Sequence, residues 1–424
     1  MDNNILKKEM MELWEKTFHD SRDYIKLIFD NYFNEKYIAY IEKEGRIISA
    51  LLGIPYQFGS GRKSLNGLYL CGLATEESFR RHGYMNTLLD QINKRVSNEF
   101  DFTFLIPSSD LLADYYRRHG YFNSFFRLEE RFTSIHDFKN DFKIALLDSD
   151  ERLRRLKQEL FDRIKIERYD QTSGISLDQL INYLSEQEKI ENEAVSLIHS
   201  KDDLRVVIKE NEISRNNIFI ATNKADKSVT GVAFVVKDDI DRIKIPTIYY
   251  SDKTSYFSIL YHIKGYFPES SMSVYVTSVD SSYTDSMIEE VYGAENPTGE
   301  SLETVFGLLE RPFNPYKLMQ PYGMVKLLNF QNIIEFIANI RPDADFSLYL
   351  KDFGDDGQQK IIYIVKQGRL KTVRVNEVKK EKGTLELTIK EFSEILLRKK
   401  DSNSLIMEAF GIPRLPLQMC LLLD

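Results

Sequence analysis

Two neighbouring runs, Leu68-Tyr69-Leu70-Cys71-Gly72-Leu73-Ala74-Thr75 and Arg80-Arg81-His82-Gly83-Tyr84-Met85, decide how this chain is read. The first is a short apolar run, the pattern of a buried strand. The second is a basic turn containing a glycine. After it, Met85, Leu88, Leu89, Ile92 and Val96 recur at i, i+3, i+4, i+7 and i+11, so a helix with one buried face runs to about Val96. Phe102-Thr103-Phe104-Leu105-Ile106-Pro107 is a second apolar run, and Tyr115-Tyr116-Arg117-Arg118-His119-Gly120-Tyr121 ends a further helix on a glycine. The order is strand, turn, helix, strand, helix. Gly83 lets a ligand approach the backbone closely, and the free N–H groups and dipole of the next helix turn favour an anion. Arg80 and Arg81 could add charge-assisted hydrogen bonds to a diphosphate.

Upstream, residues 8–18 read as a helix, and Asp20-Ser21 starts a second one. Strands are expected at 37–41 and 47–56, and after the central stretch at 125–132. Downstream the chain is more polar. Residues 151–166 and 176–196 are expected as helices, with strands at 218–221, 229–236, 245–250 and 273–277, then a helix at 281–292 and a strand at 304–310. Arg311-Pro312-Phe313-Asn314-Pro315-Tyr316 is a proline-bearing boundary. Beyond it, Leu327, Leu328, Ile333, Ile334 and Ile337 suggest a helix, while 346–350, 361–365 and 385–387 read as strands. Thr388-Ile389-Lys390-Glu391 opens a last helix with a capping box. The apolar end, Met419-Cys420-Leu421-Leu422-Leu423, is expected to be buried.

At 424 residues the chain exceeds one ordinary core, so two or three domains are expected. A net charge of -8 argues against non-specific nucleic-acid binding and suits cationic substrates. The two cysteines, Cys71 and Cys420, form no CxxC and the six histidines no HExxH, so neither a metal site nor a disulfide framework is expected. The polar start Met1-Asp2-Asn3-Asn4 and the lack of a run of ~18 apolar residues lead to an expectation of a cytoplasmic protein with no membrane span.

The basic turn resembles motif A of the GNAT N-acetyltransferase superfamily, Gln/Arg-x-x-Gly-x-Gly/Ala, with Met85 departing from the pattern at its last position. "GLATEESFRRHGYMNTLL" followed by "LIPSSDLLADYYRRHGY" is similar to the Eis (enhanced intracellular survival) family. That resemblance implies a mixed α+β fold in three parts. They are a catalytic GNAT domain over 1–138, a second GNAT-like domain without a cofactor site over 139–310, and a sterol carrier protein-like domain over 311–424. It implies acetyl-CoA as cosubstrate, held by Leu73, Ala74 and Thr75 along the strand, by Arg80, Arg81, His82, Gly83, Tyr84, Met85 and Asn86 at the turn, and by Ser109. It implies Tyr116 as general acid, the terminal carboxylate at Asp424 as an aid to proton transfer, and a homo-oligomer, a hexamer by family precedent. The chemistry suits a tyrosine. A leaving thiolate with a conjugate-acid pKa of about 8.5 needs a proton, which a well-placed phenol of pKa about 10 can supply.

The expected activity is therefore transfer of an acetyl group to an amine: a small polyamine, an aminoglycoside-like molecule, or a protein lysine or N-terminus. A different class of function, a non-catalytic lipid-binding protein acting through 311–424, is the alternative. The turn and Tyr116 favour the enzyme.

Overall fold

The structure is a computed structural model. It describes residues 2–60, 63–133, 155, 158–159, 161–170, 172–189, 195–238, 242–268, 271–276, 316–352, 360–375, 384–397, 412–413, 415 and 417–419. The helix expected at 281–292, the strand at 304–310, the proline-bearing boundary at 311–315 and the tail at 420–424 lie outside these residues.

By contacts the described chain forms two compact units that interleave in sequence. One holds residues up to Phe126, Lys189–His199 and Pro321–Met419. The other holds Arg127–Glu188 and Ser200–Gln320.

The first unit opens with helices α1 (Asn3–Phe18) and α2 (Arg22–Tyr32), whose N-caps are Asp2 and Ser21. Strands β1 (Ile38–Lys43), β2 (Arg46–Ser60) and β3 (Lys63–Thr75) form an antiparallel meander. Helix α3 (Tyr84–Val96), strand β4 (Phe102–Leu105), helix α4 (Asp110–Arg118) and strand β5 (Phe122–Phe132) follow, as the periodicity requires. Leu68, Leu70 and Leu105 join Leu88, Leu89, Ile92, Val96, Tyr116 and Tyr121 in one core beneath α3 and α4. Aromatic rings from Tyr56, Phe58, Tyr69, Phe102, Phe104 and Phe125 form a second cluster. Because side chains alternate across a strand, Phe102 and Phe104 lie on the face opposite Leu105.

Two partners of this sheet come from far along the chain. Strand Val195–Ile198 pairs with β2, and Leu417–Gln418 pairs with it in turn. Within strand Tyr316–Leu327, Met324–Leu327 run antiparallel to β4. Asp101, 2% exposed, fastens the connection beyond that strand. Its carboxylate accepts from the Asn66 backbone N–H (2.7 Å) and from Asn332 Nδ2 (2.9 Å), and its carbonyl from the N–H groups of Leu328 and Asn329. Burial pushes the Asp101 carboxyl above its usual range, while these donors pull the other way. The rest of this segment folds as a four-stranded sheet, in spatial order Arg369–Val375, Lys360–Lys366, Phe346–Leu350, Thr384–Leu387, with helices Phe330–Ile340 and Ile389–Leu396. Met419, Leu417 and Leu415 are buried.

In the second unit, strand Ile164–Arg168 stands where the expected helix 151–166 would end. Ile164 and Ile166 alternate with Lys165 and Glu167, a period of two, and the segment pairs antiparallel with Phe219–Asn223. The helix expected at 176–196 stops at Gln187, after a capping box at Ser176. Two helices escaped the sequence reading, Lys201–Ile213 and Lys253–Tyr266. The second carries five aromatic residues or histidines among its fourteen, Tyr256, Phe257, Tyr261, His262 and Tyr266, which blurs a helical stripe. It connects strand Arg242–Tyr250 to Ser271–Val276, which pair in parallel. This repeats the β3–α3–β4 arrangement. Among the described residues no helix is long and apolar enough to cross a membrane.

Candidate active site

β4 pairs with β3 only at Gly67, Leu68 and Tyr69. Past Tyr69, β3 stays paired with β2, but among the described residues no strand meets its other edge from Leu70 to Thr75. Backbone N–H and C=O groups along an edge without a strand neighbour call for another partner, which the Thr75 carbonyl finds in Arg80 Nε. Within this open stretch the register against β2 slips between Ala50 and Leu52, so Leu51 faces both Gly72 and Leu73 in a bulge. Gly72 adopts φ +58°, and a Cβ there would lie 2.2 Å from Cζ3 of Trp14. Gly72→Ala is expected to cost about 2–5 kcal/mol, from left-handed strain of about 1–2 and overpacking of about 1–3 kcal/mol. A melting scan checks this; an unchanged melting temperature would mean that the bulge relaxes.

Of the expected strand residues, Leu73 lies in the bulge and Ala74 and Thr75 follow it. Ala74 is buried and its carbonyl accepts from Ser49 Oγ (3.1 Å). The Thr75 carbonyl accepts from Arg80 Nε (3.1 Å), which folds the basic turn back onto the strand end. In that turn both Arg81 (φ +66°) and Gly83 (φ +79°) are left-handed. Gly83 is the N-cap of α3. No side chain caps the helix there, and a Cβ on Gly83 would meet nothing within 4 Å. The first turn of α3 therefore presents backbone N–H groups and the positive end of its dipole into open space. Arg80, Arg81 and His82 are exposed around it. Tyr84 is held by Lys43, whose ammonium lies 4.7 Å from the ring centroid and hydrogen-bonds the hydroxyl. Met85, at the departure from the family pattern, packs against the core under α3.

Helix α4 brings the remaining candidates. Ser109 caps it, accepting from the Leu112 N–H at 3.4 Å, so its hydroxyl has a structural task. Tyr115 and Tyr116 face differently, as adjacent helical residues must. The Tyr115 hydroxyl donates to Asn86 Oδ1 on α3. Tyr116 is 6% exposed, with its ring 6.0 Å from that of Tyr121. Among the described residues nothing hydrogen-bonds the Tyr116 hydroxyl, and burial pushes its phenol well above the ordinary value. Leu73, Met85 and Tyr115 all pack against the core that contains Leu70, Leu105 and Tyr116, so strand, turn and helix converge.

Behind Tyr116 lies a buried polar group. The hydroxyls of Thr103 and Tyr121 meet at 3.0 Å, and Thr103 donates to Asn93 Oδ1 at 2.6 Å. Burial pushes the Tyr121 phenol up to about 12. Its folded-state value lies above the unfolded one, so its contribution to stability is complete below pH about 10 and is lost as pH rises through about 12. The melting temperature should therefore begin to fall above pH about 10; a fall shared by Tyr121→Phe would assign the loss elsewhere. His119 ends α4 with its ring 4.8 Å from Tyr115, and burial holds it below its usual value.

The second unit offers a contrast. Its corresponding helix, Lys253–Tyr266, is capped by Asp252, whose carboxylate accepts from the Ser255 N–H (2.8 Å) and Ser255 Oγ (3.0 Å). An anion already occupies that helix start. A diphosphate fits the uncapped Gly83 turn and not the Asp252 turn. Among the described residues no cluster of His, Cys, Asp or Glu is placed to hold a metal.

The sequence reading missed the bulge at Gly72 and the approach of Trp14 to it, although the signal was present: a glycine inside an apolar strand marks a bulge or a close approach.

Residues 6–122 match the family model described as an acetyltransferase (GNAT) domain. The match covers the helices, the meander, the turn and α4, supports an acyltransferase, and brings with it acetyl-CoA as the cosubstrate of that family. Solved structures similar over the whole length carry the likeness further. A probable N-acyltransferase from Enterococcus faecalis V583 has a TM-score of 0.62 at 12% identity, covering 97% of this chain and 96% of that one. A GCN5-related N-acetyltransferase from Anabaena variabilis has 0.62 at 12%, covering 99% and 97%. Eis1 from Mycobacterium abscessus has 0.59 at 9%, covering 96% and 90%. At such identities the likeness is one of fold. No curated protein matches the sequence.

Proposed function

We propose that this chain is an acetyl-CoA-dependent N-acetyltransferase of the Eis-like type, acting through the first unit. One observation carries the reading: a helix start left uncapped at a left-handed glycine, beside a strand whose edge is open. Bound acetyl-CoA supplies an acetyl thioester. The N–H groups at Tyr84, Met85 and Asn86, with Arg80 and Arg81, hold its diphosphate; the backbone at Leu73, Ala74 and Thr75 orients the acyl carbonyl. Tyr116 keeps a proton on its hydroxyl for the leaving sulfur. The acceptor is an amine of the polyamine or aminoglycoside kind, or a protein lysine or N-terminus. Acetyl-CoA should raise the melting temperature, as a ligand of the folded state must, and a panel of amines assayed by thiol release should identify the acceptor. No thermal shift at millimolar acetyl-CoA would sink the reading.

In the same reading, 139–310 is a GNAT-like domain that lost its cofactor, with Asp252 standing where a phosphate would bind. Segment 311–424 is sterol carrier protein-like, and the protein is a cytoplasmic homo-oligomer. Light scattering tests the last point: a mass near 49.7 kDa would mean a monomer.

A further inference from the structure

Trp14 is the only tryptophan in the chain and stands on α1, outside the turn and helix that carry the cofactor reading. Three of its ring atoms, Cζ3, Cε3 and Cη2, would lie 2.2, 2.4 and 3.0 Å from a Cβ on Gly72. The six-membered ring therefore presses on the strand where it bulges, one residue before Leu73. The indole is fixed from behind. Its Nε1 donates to Asp20 Oδ2 at 2.8 Å. Phe18 and Phe29 meet it edge-on, each with centroids 5.7 Å away at 68° and 76°. Only 7% of Trp14 is exposed. A ring held on three sides cannot swing aside to make room.

We propose that Trp14 is the specificity-determining wall of the acyl slot and restricts the donor to a two-carbon acyl thioester. This rests on the reading that the backbone from Leu73 to Thr75 orients the thioester carbonyl. The acyl carbons beyond the carbonyl must then find room within a residue's length of Gly72, where the indole stands. A glycine at 72 serves both demands: it permits the left-handed bulge and lets the ring reach the backbone. Rigid walls discriminate by size, and one extra methylene in a closed pocket changes selectivity roughly 10- to 200-fold.

The test compares free CoA, acetyl-CoA, propionyl-CoA and butyryl-CoA by calorimetric titration, which needs no acceptor amine. The wild-type protein should bind acetyl-CoA at least about tenfold more tightly than butyryl-CoA. Trp14→Phe should narrow that gap while binding free CoA as the wild type does, and a melting scan confirms that it folds. A folded Trp14→Phe with the wild-type acetyl-to-butyryl ratio overturns the proposal. A change confined to the KM of the amine overturns it too, since the ring would then wall the acceptor. The wild type gives a check that needs no substitution. Its emission should differ between bound CoA and bound acetyl-CoA, because only the latter places a methyl against the sole indole; identical emission counts against the wall. Absence of binding by every CoA species would mean the failure of the acetyltransferase reading itself, and this proposal with it.

Discussion

Gly83→Asp is expected to raise the KM for acetyl-CoA by about 100-fold, the size of a like-charge clash of about 3 kcal/mol. The fold should survive. A Cβ at Gly83 meets nothing within 4 Å. The left-handed backbone at φ +79° is strained for most residues, but aspartate is among the side chains that tolerate it. An aspartate there would also cap α3, a gain over glycine of about a few tenths of a kcal/mol that offsets part of the strain. That cap is the reason for the lost affinity. The carboxylate takes the N–H groups a diphosphate needs and sets a negative charge where two more must come, as Asp252 does at the helix Lys253–Tyr266. Steady-state kinetics with varied acetyl-CoA, beside a melting scan, decide the matter. Unchanged KM in a folded variant would mean that the diphosphate binds elsewhere. Gly83→Ala, with the strain but no charge, should lie between the two.

Tyr116→Phe is expected to lower kcat about 100- to 10,000-fold, the range for loss of a general acid. The ring stays, so the core under α3 and α4 and the contact with Tyr121 remain, and acetyl-CoA binding should change little. The pH dependence separates an acid from a packing residue. Burial raises the phenol above its ordinary value, so the protonated form persists through the neutral and mildly alkaline range. The wild-type kcat should then show no alkaline decline from this group below pH about 10. If Tyr116→Phe turns over normally, the proton comes from another group. Tyr115, whose hydroxyl is engaged by Asn86, would be the next residue to replace.

Local pattern alone determined much of the first unit. The stripe from Met85 to Val96, the apolar runs on either side and a glycine after two arginines are short-range signals, and each became the element it implied. Their physics is local: helix period, strand alternation, and a backbone conformation that favours glycine. The same holds for the caps at Ser21, Ser176 and Thr388, where a side chain answers a backbone N–H three residues on. The helix Lys253–Tyr266 failed this reading because aromatic residues spread around it obscure a single apolar face. Strand Ile164–Arg168 failed because its short alternation follows a charged stretch that suits a helix as well.

What only the tertiary structure decided is which distant segments complete the sheet and what faces its bulge. Met324–Leu327 lie against β4 although more than two hundred residues separate them, and Val195–Ile198, which begins in the last two residues of a stretch expected to be helical, pairs with β2. An edge strand accepts any extended partner through its backbone, so no side-chain pattern in β2 or β4 names the segment that will pair with it. The indole against Gly72 is of the same kind. Sequence marks the glycine as a place of close approach, but which side chain approaches depends on how α1 packs across the meander.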